Sequence, residues 1–291
     1  TRDVPDRIGP IISALLTEAS DDLSAASESP RLDAELLLAF VLQVPRSYLF
    51  SHPEKQPGKE AFAIFRDLVS RRGSGEPVAY ITGRREFWSL DLVVNRHTLI
   101  PRPDTETLVA TALDLIADDR EPSILDLGTG SGAIALALAH ERPDATVTAT
   151  DTSAEAIALA RYNGQRLAIG NIRFVRGNWF GAVPGQQFDL IVSNPPYVAA
   201  NDPHLERADI RFEPVDALAA GSDGLDSIRH IVSAAPAFLR RGGWLAIEHG
   251  DRQGASVTRL LTGAGFEAVA TVADLGGRDR VGCGRAIRAD T

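Results

Sequence analysis

The sequence is poor in the features that usually settle a protein's class at once. Its 291 residues include no methionine and one cysteine, Cys283. A single thiol excludes an internal disulfide framework and suits a reducing, cytoplasmic setting, and Cys283 itself reads as a buried structural residue. No apolar run approaches the ~18 residues that a membrane-spanning helix requires. The first residues, Thr1 to Pro5, lack the apolar core and cleavage pattern of a signal peptide. Six histidines, at 52, 97, 140, 204, 230 and 249, are scattered and share no ligand spacing with cysteine or carboxylate, so no metal is expected. Positive charge is also scarce: 30 Lys and Arg stand against 39 Asp and Glu, a net charge of −9. Duplex nucleic-acid binders usually present a basic face, so direct nucleic-acid binding is not expected. What remains is ordinary globular material, 44% apolar and 24% charged, sufficient for one large core or two unequal ones.

Along the chain, residues 1–75 read as a small all-helical domain. Ile8, Ile11, Ile12, Leu15 and Leu16 form one helical stripe, and Ser29-Pro30 opens a second helix with Leu32, Leu36, Leu37, Phe40 and Val41 as its expected buried face. Phe62, Phe65, Leu68 and Val69 mark a third, which stops at Gly73-Ser74-Gly75. Residues 76–103 read as a linker containing a β-hairpin, signalled by Phe87, Trp88, Leu90, Leu92, Val93 and Val94, although no Asn-Gly turn marks it. From 104 to 291 strands alternate with helices. Strands are expected at Ser123–Asp126, Thr146–Thr150, Ile172–Arg176, Leu190–Ser193, Trp244–Glu248, Phe266–Ala273 and near Asp279–Arg288, with helices such as Ile134–His140 and Ala154–Leu167 between them. That alternation predicts an α/β domain built on a mostly parallel, doubly wound sheet.

Two motifs carry chemistry. The first is Asp126-Leu127-Gly128-Thr129-Gly130-Ser131-Gly132, in which an apolar strand runs through a glycine turn into a helix. Glycines let backbone approach a ligand closely, and the helix start offers free N–H groups. The spacing differs from the Gly-x-Gly-x-x-Gly of dinucleotide sites. S-adenosylmethionine has no pyrophosphate, but its ammonium and sulfonium suit the carboxylate of Asp126, and Asp151, at the end of the next strand, is placed to accept both ribose hydroxyls. The plain alternative is a tight strand-to-helix turn. The second motif, Asn194-Pro195-Pro196-Tyr197, leaves a buried strand at the carboxyl edge of the sheet. An amide or aromatic amine is a poor nucleophile because its lone pair is delocalised. Its NH₂ can donate to the Asn194 side-chain oxygen and to the Pro195 carbonyl, which favours the pyramidal, partly positive nitrogen of a methyl-transfer transition state. Tyr197 would stack on the flat group, the paired prolines stiffening the loop. The alternative is a proline-stiffened turn with a capping asparagine.

These segments, together with Glu76-Pro77-Val78-Ala79-Tyr80-Ile81-Thr82-Gly83, Arg85-Glu86-Phe87-Trp88, Leu99-Ile100-Pro101-Arg102-Pro103-Asp104-Thr105-Glu106, Phe212-Glu213-Pro214, Glu248-His249-Gly250 and Asp279-Arg280-Val281, give the chain its resemblance to the release-factor glutamine methyltransferases, the HemK/PrmC family, over nearly its full length. The Asn-Pro-Pro-Tyr is shared with enzymes that methylate the exocyclic amine of adenine; the Pro-Arg-Pro-Asp-Thr-Glu run is far more specific. The resemblance implies a class I S-adenosylmethionine methyltransferase fold with a seven-stranded sheet behind a helical N-terminal domain and hairpin linker. It implies S-adenosylmethionine as methyl donor, S-adenosylhomocysteine as product, and as substrate the glutamine of the Gly-Gly-Gln loop of class-1 release factors. Asn194, Pro195 and Tyr197 become the expected catalytic residues. Asp126, Gly128, Thr129, Gly130, Gly132, Asp151, Asn178, Trp179 and Asn194 become the cofactor set, and Phe87, Asn194, Pro195, Pro196 and Tyr197 the substrate set. Asn178 is a departure, since the family often has an acidic residue there for the adenine amine. Of the remaining residues, Arg102 and Asp104 read either as site residues or as an exposed helix start with Asp104 as N-cap. Glu213 and Glu248 read either as pocket walls or as partners of arginines, and His249 as structural. Competing functions are a ribosomal-protein glutamine methyltransferase, an adenine methyltransferase on DNA or RNA, and a non-enzymatic binding protein on the same fold.

Overall fold

The computed structural model describes residues 9–203 and 210–287, so Ile8, His204 and Arg288 lie outside the described residues. The chain divides into two compact units. The smaller contains α1 (Ile12–Asp22), α2 (Pro30–Leu42), α3 (Arg46–Ser51), α4 (Lys59–Gly73) and α5 (Val78–Thr82). Ile12, Leu15 and Leu16 of α1 and Phe65, Leu68 and Val69 of α4 are buried at helical spacing. The expected face of α2 needs correction. The helix buries Ala34, Leu37, Leu38 and Ala39, whereas Leu32 and Phe40 are exposed. Its sequence is apolar on almost every side, so periodicity alone selects no face. Its buried carboxylates have partners: Arg72 Nε donates to Asp33 Oδ2 at 2.7 Å, while Arg31 and Arg46 donate to Glu35 at 2.8 and 2.7 Å.

The larger unit opens with a hairpin, β1 (Arg84–Phe87) and β2 (Leu90–Val93), in which Phe87 faces Leu90 across a two-residue turn. Such turns want positive φ at both central positions, which asparagine and glycine supply cheaply. Here Trp88 and Ser89 take φ of 51° and 59° instead. Trp88 is held there from two sides: its backbone N–H donates to Glu106 Oε1 at 2.9 Å and its indole N–H to Glu141 Oε1 at 2.8 Å. Ser89→Gly should relieve the strain at the second position and stabilise the fold by about 1 kcal/mol, read as a raised thermal midpoint.

The hairpin leads to a seven-stranded sheet of β3 (Ser123–Leu127), β4 (Thr146–Asp151), β5 (Ile172–Arg176), β6 (Phe188–Ser193), β7 (Leu239–Glu248), β8 (Phe266–Ala273) and β9 (Asp279–Ala286). The order is β5-β4-β3-β6-β7-β9-β8, parallel throughout except for β9, which runs antiparallel to both neighbours. Helices α6 (Glu106–Leu115), α7 (Ala133–Glu141), α8 (Ala154–Arg166), α9 (Asp226–Ala234) and α10 (Gly254–Gly263) cover it. Successive strand residues serve opposite layers: Leu190 and Val192 enter one apolar cluster and Ile191 the other, and Ala246 is separated in the same way from Leu245 and Ile247. The chain steps outward from β3 to β5, then returns to the other side of β3 with β6. That reversal opens a crevice at the carboxyl ends of β3, β4 and β6, where both motifs emerge.

Candidate active site

The crevice is a cavity of about 380 Å³. Its floor is the glycine turn. Gly128, Gly130 and Gly132 have φ of 75°, 56° and 88°, a region costly for any residue with a Cβ. The three glycines differ in purpose. A Cβ on Gly130 would enter open space, whereas one on Gly132 would meet Leu136 at 3.0 Å and Ala160 at 3.1 Å. Gly130 thus keeps the cavity surface low, and Gly132 lets α7 and α8 approach. The turn is pinned to β4 by Gly128 and Thr129 N–H groups donating to Thr150 O, both at 2.9 Å. Asp151 accepts from Gly130 N–H and Ser153 N–H, again both at 2.9 Å, and lies on the cavity wall. Asn163, fully buried on α8, accepts from Val93 N–H and donates to Val93 O and Ser131 O, each at 2.9 Å. One amide thereby joins hairpin, helix and glycine turn.

Asp126 sits at the end of β3, fully buried and off the cavity wall. Neither of its oxygens, nor Thr129 Oγ1, has a hydrogen-bond partner of good geometry. Burial pushes its carboxyl up to about 7, with the nearby Thr129 hydroxyl opposing the shift and the charge of Asp151 adding to it. A raised carboxyl gives the folded state a proton that the unfolded chain releases near its ordinary pKa. The associated stability is present below that value and is lost as pH rises toward about 7. Replacing Asp126 by Asn should therefore improve the stability of the ligand-free protein increasingly as pH is raised from about 4 to 8, a comparison of paired denaturant titrations.

Of the other sequence-expected residues, Trp179, Asn194 and Pro196 line the cavity. A Cβ on Gly128 would come 3.8 Å from the Trp179 ring. Pro195 and Tyr197 line a small adjoining recess that shares Asn194 and Leu99 with the cavity. Asn178 is exposed and Phe87 is buried in the core beside the sheet, both off the cavity wall, as is Gly132. Asn194 Nδ2 donates to Thr105 Oγ1 at 3.2 Å, and Tyr197 OH donates to Glu248 Oε1 at 3.2 Å. The Tyr197 carbonyl is fixed by Gln253 Nε2 at 3.0 Å, and a Cβ on Gly224 would stand 2.3 Å from that same oxygen. Arg102 pairs with the buried Glu213, which also accepts from Ile100 N–H at 3.1 Å; Asp104 pairs with Arg280 at 3.0 Å. Asp104 caps no helix: α6 starts after Thr105 with no side-chain cap. Sequence reasoning gave no site role to Arg96, His97, Thr98 or Thr105, nor to Asp216, all of which line the cavity. Thr105 stood inside the Pro-Arg-Pro-Asp-Thr-Glu run, so that signal was available. Among the described residues no cluster could hold a metal ion, and no helix is long and apolar enough to cross a membrane.

A seven-stranded sheet of this order with a glycine turn at its switch point defines a methyltransferase, and residues 104–210 match the family described as "Methyltransferase small domain". A solved methyltransferase from Pyrococcus furiosus shares the fold at a TM-score of 0.51 and 19% identity, over 68% of this chain and 90% of that one. Residues 14–83 match the "PrmC N-terminal domain". The release factor glutamine methyltransferase of Pseudomonas aeruginosa is 54% identical over 94% of this chain and 99% of its own, and that of Vibrio cholerae is 52% identical over 94% and 96%. The chain belongs to the release factor glutamine methyltransferase family.

Proposed function

We propose that this protein transfers a methyl group from S-adenosylmethionine to the side-chain amide nitrogen of the glutamine in the Gly-Gly-Gln motif of class-1 peptide chain release factors. The observation that carries the reading is the setting of Asn194. Its Nδ2 is committed to Thr105, which leaves Oδ1 as the acceptor at the junction of cavity and recess. The cavity suits the methyl donor. Asp151 offers lone pairs to a ribose, Gly130 leaves room for close approach, Trp179 supplies an aromatic face, and the Asp151 carboxylate on the wall favours a cation.

When bound, S-adenosylmethionine supplies a methyl group on a positively charged sulfur. The protein's own residues prepare the acceptor. Asn194 Oδ1 and the Pro195 carbonyl each accept one N–H of the glutamine amide, which turns the nitrogen lone pair toward the cavity. As the amide nitrogen takes the methyl group from sulfur and S-adenosylhomocysteine is left as the neutral product, those two acceptors would stabilise the growing positive charge on nitrogen, and one N–H proton is then lost to water. Tyr197 holds the plane of the amide, and its hydroxyl is anchored on Glu248. Such a substrate places the reaction in the cytoplasm, and the smaller helical unit, separate from both motifs, serves to grip it.

The test is methyl transfer from labelled S-adenosylmethionine to a purified release factor, beside the same factor with its loop glutamine changed to alanine and a duplex DNA control. Label is expected on the intact factor alone. Label on the altered factor or on DNA would replace this reading with another substrate.

A further inference from the structure

We propose that Glu248 is a positioning residue that sets the hydrogen-bond direction of Asn194 through Thr105, and so decides which atom of Asn194 meets the substrate. The inference rests on the reading above, in which Asn194 receives the glutamine amide.

Glu248 ends β7, is 1% exposed and lines neither cavity nor recess, so it does not touch substrate. Its Oε1 accepts from Tyr197 OH, whereas Oε2 is buried with no hydrogen-bond partner of good geometry. An unpaired buried carboxylate oxygen is costly, and the Thr105 hydroxyl is near enough to draw the carboxyl pKa downward. A hydroxyl is a rotor with one proton and two lone pairs. An ionised carboxylate only accepts, so a small rotation of the Thr105 hydroxyl would give its proton to the unpartnered Oε2. The Thr105 oxygen can then only accept, and it does so from Asn194 Nδ2, at 3.2 Å. The order Asn194 N–H to Thr105 to Glu248 leaves Asn194 Oδ1 for the substrate's NH₂. Reversing it would rotate the Asn194 amide and set NH₂ against NH₂, two donors facing each other.

The direction depends on Glu248 being charged. Burial pushes its carboxyl up to about 7, against the Thr105 hydroxyl, the charge of Arg280 and the Tyr197 hydroxyl, with Asp104 adding to the rise. Arg280 is shared with Asp104 and Asp274, Arg102 is paired with Glu213, and His249 follows directly in the chain. A protonated Glu248 becomes a donor and releases Thr105 to turn round, so kcat at saturating cofactor should fall as pH drops through about 7.

The experiment uses the full-length enzyme with a purified release factor, comparing Thr105→Val, Thr105→Ser and Glu248→Gln. It measures kcat across pH, KM for the factor, and S-adenosylhomocysteine affinity by calorimetry. Thr105→Val keeps the shape and loses the hydroxyl. Its kcat should fall roughly 100-fold, comparable to losing one electrostatic contact to a transition state, with product affinity little changed. Thr105→Ser should restore most of that loss. Glu248→Gln should lower the plateau kcat and abolish the fall at acid pH. The proposal is overturned if Thr105→Val turns over like the wild type, if Thr105→Ser fails as badly as Thr105→Val, or if Glu248→Gln retains the acid limb. A wild-type enzyme that labels no release factor would instead defeat the substrate reading.

Discussion

Replacing Asn194 with alanine should cut methyl transfer by roughly 100- to 1,000-fold, the cost of removing one preorganised contact to a transition state. The side chain contributes the oxygen that accepts from the substrate nitrogen as positive charge develops there, an interaction stronger at the transition state than in the ground state. The loss should therefore appear in kcat under single-turnover conditions, with the KM for the release factor moving much less. The fold should survive, because Asn194 is only partly buried and its side chain is tied to the protein by one hydrogen bond, to Thr105. Retention of wild-type turnover by the alanine variant would show that the Pro195 carbonyl and the shape of the recess are sufficient on their own.

The second large effect is expected at Asp151. Its two oxygens hold the N–H groups of Gly130 and Ser153, one on the glycine turn and one at the start of α8, while its remaining lone pairs face the cavity. Alanine there removes charged acceptors from two backbone donors and from a ribose together. Hydrogen bonds to a charged group contribute about 1.5–3 kcal/mol each, so S-adenosylmethionine affinity should fall by at least ~10-fold and by up to ~150-fold. Calorimetric titration of the variant beside Asp151→Asn separates the two causes: asparagine retains an acceptor oxygen and should recover part of the loss. Equal affinity in all three proteins would move the ribose away from Asp151.

Much of this architecture is legible in the amino-acid sequence alone. The strands of the sheet are short apolar runs closed by glycine or polar turns, and Ile172–Arg176 and Phe266–Ala273 have the bounds that the sequence suggests. Both motifs lie where their strand context puts them, because glycine turns and paired prolines impose local geometry that tertiary packing seldom overrides. Other parts were hidden for identifiable reasons. Helices α3 and α5 span six and five residues, too short to show a period. The buried face of α2 depends on Arg31, Arg46 and Arg72, two of them distant in the chain from the carboxylates they neutralise. The insertion of β9 between β7 and β8 is a matter of pairing, on which strand character is silent. The hairpin turn was obscured because Trp88 and Ser89 occupy positions that glycine would mark. At the site, the sequence singled out Asp151, Trp179 and Asn194, which line the cavity, together with Asn178 and Phe87, which do not. It left Thr105 and Glu248 without linked roles, since one lies in the turn before α6 and the other at the end of β7.

The amide of Asn163 has a practical consequence. Because it ties both backbone groups of Val93 to the carbonyl of Ser131, the end of the hairpin cannot open without disturbing the glycine turn. The Val93 amide proton is thus a remote reporter of cofactor occupancy. Its exchange with deuterium should slow when the cavity fills, giving a spectroscopic readout of binding at a position that does not line the cavity.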